Sequence, residues 1–186
     1  MTMNAGNKSR AEACAQKTTA ELDGLAARGV RAGGNAMSPI LVAKGERTAD
    51  EVAGAEPFLG ADGAALKASL KALGYAPEDW EWLLTCDDAG EALAAPLLRE
   101  AVCALDPATL VCCDDAAAAA LREAYAEDLT IIESFEEAML EPGYVVQLCG
   151  MRVLNLGGFA DALADPRAKQ QMWARLKRIP PLGEPY

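Results

Sequence analysis

Three short apolar runs do most to constrain the fold of this 186-residue chain. Ile40-Leu41-Val42-Ala43, Trp80-Glu81-Trp82-Leu83-Leu84-Thr85-Cys86 and Thr109-Leu110-Val111-Cys112-Cys113 are each too brief for a buried helix, and they read as buried strands. Helical stripes separate them. Asp62 stands where it can cap a helix whose Leu66, Leu70 and Leu73 recur at i, i+4 and i+7 before Gly74. Leu98, Val102 and Leu105 mark a second helix from Pro96 to Leu105, and Asp114-Asp115 cap a third that starts at the alanines 116–120 and runs to about Ala126. Such alternation predicts an α/β protein: three layers, α/β/α, around a mostly parallel central sheet of about four strands. Sheets of this kind bind ligands outside the carboxyl ends of their strands.

The remaining segments are read in the same way. Residues 1–37 form an N-terminal arm with a helix from about Arg10 to Ala27, and residues 38–186 form the α/β domain. Lys44 to Gly60 has no helical stripe and reads as a long loop. Glu133 to Glu141 reads as an acidic helix closed by Pro142-Gly143, and residues 144–148 and 151–156 read as a hairpin turning at Cys149-Gly150. A last helix begins at Asp165-Pro166 and ends near Arg178; between Arg167 and Arg178 it carries five basic residues and no acidic one.

Composition narrows the chemistry. The chain has no histidine, which removes the usual general base, proton shuttle and imidazole metal ligand, and with them Ser-His-Asp and Cys-His catalysis and the HExxH zinc site. A net charge of -11 argues against a surface coated for nucleic acid, while leaving room for a local basic patch. The six cysteines show no CxxC spacing and are expected as reduced, mostly buried thiols. No apolar run approaches the roughly 20 residues of a membrane span, and Met1 to Ala20 has no apolar core of a signal peptide. A cytoplasmic protein without membrane partners is therefore expected.

The loop after the first apolar run carries a family resemblance. Gly45-Glu46, Ala49-Asp50-Glu51, Pro57-Phe58-Leu59-Gly60, Leu73-Gly74 and Cys86 follow one another as in the uracil-DNA glycosylase superfamily, in particular its iron–sulfur class. Asp165-Pro166-Arg167-Ala168-Lys169 through Trp173-Ala174-Arg175-Leu176-Lys177 resembles the last helix of that family, so the resemblance spans residues 38–179. It implies a uracil-DNA glycosylase-like fold. It also implies that Glu46 holds the place of an acidic residue that positions water, and Phe58 that of the ring stacked on the extruded base. Two functional places are filled by other residues. Trp82 stands where the family reads the uracil edge with asparagine, and Gly158, in Gly157-Gly158-Phe159-Ala160, stands where a histidine stabilises the departing base. Arg47-Thr48 replaces the Pro-Gly of the first loop. Cys86 and Cys103 match one pair of cluster ligands, but the other pair is represented by Cys14 alone, so no iron–sulfur cluster or other cofactor is expected.

These residues define the expected site: Glu46 as the catalytic candidate, with Gly45, Arg47, Phe58, Trp82, Gly157 and Gly158 lining a pocket for a base, a nucleotide or another small planar ligand. Arg167, Lys169 and Arg175 are the candidate phosphate contacts. Blander readings accompany each: a solvated Glu46, a core Phe58, a Trp82 that forms core or pocket wall, a plain turn at Gly157-Gly158 and a solvated basic helix face. The leading expectation is a divergent glycosylase-like protein without standard uracil excision. Its alternatives are an atypical glycosylase acting on another damaged base in DNA, and a non-catalytic module that binds proteins through its acidic surface.

Overall fold

A computed structural model describes residues 17–76 and 78–180. Helix α1 covers residues 17–26, followed by β1 (Ala32–Gly34), β2 (Ile40–Lys44), α2 (Ala49–Val52), α3 (Ala61–Ala72), β3 (Trp80–Leu84) and α4 (Ala95–Leu105). The second half adds β4 (Thr109–Cys112), α5 (Asp115–Ala124), α6 (Ala126–Leu129), α7 (Phe135–Ala138), β5 (Val145–Leu148), β6 (Met151–Asn155), α8 (Phe159–Ala162) and α9 (Pro166–Leu176). The strands form one mixed sheet in the order β1-β3-β2-β4-β6-β5. β3, β2, β4 and β6 run parallel, whereas β1 and β5 close the two edges antiparallel.

Register and side-chain alternation divide the core in two. Val42 lies between Trp82 and Val111 in the ladder, and Val111 pairs with Leu154. These residues face one side, where they pack with Leu66 and Leu70 of α3, Phe159 of α8, and Met172 and Leu176 of α9. Leu41, Leu83, Leu110 and Cys112 face the other side and meet Leu98, Val102 and Leu105 of α4 and Ala117 and Leu121 of α5. Burying each such leucine contributes on the order of 2 kcal/mol. The alanines of α5 allow close approach: a Cβ placed on Gly45 would lie 2.7 Å from the Cβ of Ala116.

Several expectations change. The sheet has six strands rather than about four, because Ala32-Gly33-Gly34, read as part of an arm, pairs with β3, and both arms of the hairpin join the sheet beside β4. The segment read as a loop from Lys44 to Gly60 contains α2, started by a reciprocal cap in which Thr48 Oγ1 accepts from Glu51 N and Glu51 Oε2 accepts from Thr48 N. Asp62 is not the cap of α3: Gly60 holds that position and Asp62 turns inward. Within 133–141 the helix is confined to Phe135–Ala138. Asp114 and Asp165 do cap α5 and α9, accepting from Ala117 N and from Arg167 N and Ala168 N. Cys86, Cys112 and Cys113 are buried free thiols, Cys103 and Cys149 are exposed, and Cys14 lies outside the described residues. Among the described residues no helix is long and apolar enough to cross a membrane.

Candidate functional site

The parallel strands β2, β4 and β6 end at Lys44, Cys112 and Asn155, and the loops that leave them meet. Asp114 ties two of these loops together. Its buried carboxylate accepts from Gly45 N at 3.0 Å, from Glu46 N at 3.0 Å and from Ala117 N at 2.7 Å. The third loop arrives through Gly157 and Gly158, both in the left-handed region at φ 63° and 73°. Two such residues in succession turn the chain sharply enough for Leu156 N to donate to Cys112 O and Phe159 N to Cys113 O.

The crevice between these loops has a volume of about 160 Å³ and is lined by Glu46, Arg47, Thr48 and Phe58 on one side and by Asp114, Gly158 and Asp161 on the other. Glu46, Arg47, Phe58 and Gly158 are thus brought together. Gly45 and Gly157 shape the crevice from behind, packed against α5 and against Pro142. Trp82 is not part of it: its indole lines a separate groove beside α3. The reason is register, since Trp82 lies two residues short of the end of β3 and its ring lies over Gly33 of the edge strand.

Beneath the crevice is a buried charge cluster that the sequence did not announce. Lys44 is 4% exposed, and its ammonium donates to Glu51 Oε1 at 2.9 Å and Asp62 Oδ2 at 2.7 Å. Burial opposes charge on all three groups. For Lys44 the hydrogen bonds to Asp62 and Glu51 outweigh it and raise the ammonium above its ordinary range. For Glu51 and Asp62 the bonds from Lys44 and from backbone amides outweigh it and hold both carboxyls below theirs. Glu51 Oε1 also accepts from Phe58 N at 3.1 Å, which helps to hold Phe58 at φ 61°. That conformation requires Gly63 nearby, because a Cβ there would lie 1.7 Å from Phe58 O. The Phe58 ring is buried, with Lys44 Nζ 5.0 Å from its centroid and Trp80 edge-on at 6.0 Å. It forms a closed floor and not an open stacking platform.

The mouth of the crevice is acidic. Glu46 is exposed, and the neighbouring charge of Asp114, then partial burial, then Asp161 and Asp115 raise its carboxyl above the usual range, against a smaller opposing pull from Lys44. Arg47 offsets this only in part: its guanidinium keeps its charge and is anchored to the backbone by donating to Asp88 O at 2.9 Å and Glu51 O at 2.6 Å. Among the described residues no group of three or more His, Cys, Asp or Glu side chains is arranged to hold a metal ion. On α9, Arg167 and Lys169 are exposed, whereas the Arg175 guanidinium donates to Leu156 O and Arg178 to Gly143 O. Arg175, and Arg178 just past the helix, therefore fasten the loop that leaves β6 and the turn that enters β5.

The reciprocal cap had a readable sequence signal in Thr48-x-x-Glu51. The buried lysine had only its place at the end of an apolar strand, a weak cue because lysine is seldom fully buried. No family model matches the chain, and no curated protein matches it in sequence.

Proposed function

We propose that the chain is a ligand-binding protein of uracil-DNA glycosylase-like architecture that does not perform standard uracil excision. Its crevice at the ends of β2, β4 and β6 takes one small planar ligand of about nucleobase size. The observation that carries this reading is the meeting of Glu46, Phe58 and Gly158 around a single small crevice at the carboxyl ends of parallel strands. Excision needs donors that read the extruded base and stabilise charge on the leaving group. Here Trp82 stands apart in its own groove, and Gly158 has no side chain to supply such a donor.

Electrostatics select the ligand further. Glu46, Asp114 and Asp161 outnumber Arg47 on the crevice wall, while Lys44 is shared between Glu51 and Asp62. A phosphate entering such a site meets net repulsion, and N–H donors meet carboxylate acceptors. A free, uncharged or cationic heterocycle suits it better than a nucleotide or a DNA strand.

The test has two parts. Incubation with a uracil-containing oligonucleotide followed by alkali should give no nicking from the wild-type protein; nicking that disappears in Glu46→Ala would overturn the claim of lost excision. Titration with free nucleobases, followed by amide chemical shifts, should perturb Gly45, Glu46 and Gly158 saturably, with the matching nucleoside monophosphates binding more weakly. Equal or tighter binding of the monophosphates would contradict the acidic-crevice reading.

A further inference from the structure

A second cleft, of about 630 Å³, runs along the β1–β3 side of the sheet beside α3. That volume falls in the range of small-molecule sites. Its floor is the remaining open surface of Trp80 and Trp82, 8% and 9% exposed, which lie two residues apart on β3 and so face the same side. Glycine in β1 lets the Trp82 indole pack directly on the edge strand. Gly33 pairs with Trp82, and a Cβ on Gly33 would lie 2.6 Å from the indole Cζ2. α3 supplies the wall through Lys67, Ala68 and Lys71, and Leu59, 66% exposed, also lines the groove.

The charges in the groove are unevenly placed. Lys67 and Lys71 are one helical turn apart, so their side chains are neighbours on the wall. Lys67 Nζ stands 5.4 Å from the centroid of the Trp80 ring. Among the described residues neither lysine is in an ion pair. Glu56, on the connection between α2 and α3, and Glu78, on the connection between α3 and β3, also line the groove.

We infer that this groove is a binding site for a planar aromatic monoanion, its ring against Trp80 and Trp82 and its acidic group between Lys67 and Lys71. Aromatic surface on the floor rewards a flat ring by stacking. Paired ammonium groups on one wall reward a single negative charge. The two lining carboxylates, Glu56 and Glu78, oppose a ligand with more negative charge. The site is separate from the strand-end crevice, because Phe58 points into the core while its neighbours Pro57 and Leu59 line the groove.

The test compares 2-naphthoate with its uncharged isostere 2-naphthamide, by calorimetry and by quenching of tryptophan fluorescence in a Trp173→Phe background. Naphthoate should bind at one site with a Kd below about 1 mM and at least about fivefold more tightly than the amide. Lys67→Gln/Lys71→Gln should bring that ratio to about one while leaving naphthamide binding within about twofold. Ala68→Phe, an exposed substitution that fills the groove, should abolish binding of both, and Glu46→Gln should alter neither, which keeps this test independent of the crevice. Absence of saturable binding, equal affinity for the two probes in the wild-type protein, or undiminished binding by Ala68→Phe would overturn the assignment.

Discussion

Lys44 shows how one residue can be buried against its own preference. An isolated ammonium in the core costs several kcal/mol, and attraction to partners offsets this only when the geometry is good. Here two carboxylates lie within 3 Å of Nζ, and Glu51 spends its remaining capacity on Thr48 N and Phe58 N. The cluster therefore fixes the backbone that leads into both clefts. Lys44→Met leaves Glu51 and Asp62 buried without a counter-charge, and urea unfolding at pH 7 should show a loss of about 3–5 kcal/mol. Adding Glu51→Gln and Asp62→Asn removes the uncompensated charges and should recover more than half of that loss. A Lys44→Met protein within about 1 kcal/mol of wild type would mean that the cluster holds little.

At the scale of elements, Asp114 joins what the chain order separates. It caps α5 and also holds the loop after β2, 69 residues earlier, by two backbone amides. Asp114→Ala should therefore cost about 2–4 kcal/mol, more than the roughly 1 kcal/mol of a simple cap, because Gly45 N and Glu46 N also lose their acceptor. Exposed Asp115→Ala should stay within about 0.5 kcal/mol. Hydrogen exchange should accelerate at Gly45 and Glu46 in the first variant alone. In Asp114→Asn the pKa of Glu46 should fall toward its ordinary value as the nearest negative charge is removed, a shift measurable by carboxyl NMR titration. The strands and long helices were legible because buried runs and leucine spacing are local signals: β2, β4, α4 and α9 stand within two residues of where the pattern puts them. β1 was not, since Ala32-Gly33-Gly34 carries no strand propensity and is held by pairing with Trp82 and by the space its glycines leave for that indole. The site was legible in part. Glu46 follows from lying just after a strand end and Phe58 and Gly158 from the family resemblance alone, whereas the partition of Trp82 from Phe58 depends on how β3 aligns with the edge strand, which sequence spacing does not encode.

For the molecule as a whole, two buried acidic sites act on stability from opposite ends of the pH scale. Glu51 and Asp62 titrate below their ordinary range in the folded protein, so their contribution is present above the unfolded carboxyl pKa and is lost as pH falls through the lowered folded values. Glu81 does the reverse. It points from β3 into the core shared with Leu41 and Leu83, is 1% exposed, and its Oε1 has no hydrogen-bond partner, so burial pushes its carboxyl up from 4.5 to about 8. Between those two values the unfolded chain has released the Glu81 proton and the folded chain has kept it. The unfolded state then binds fewer protons, and stability falls as pH rises across this interval, by about 5 kcal/mol at roughly 1.4 kcal/mol per pH unit. Above about 8 both states are ionised and this slope ends. Stability should accordingly peak near pH 5, where the Lys44 cluster is ionised and Glu81 is still neutral. Urea midpoints measured from pH 4 to 9 should trace that peak, and Glu81→Leu should flatten its alkaline side while raising stability at pH 8 by several kcal/mol. A wild-type curve level between pH 5 and 8, or a Glu81→Leu curve with the same slope, would show that Glu81 finds a partner for its charge in solution. With a net charge of -11, general repulsion adds a shallower decline of its own, which the variant retains and which the comparison therefore subtracts.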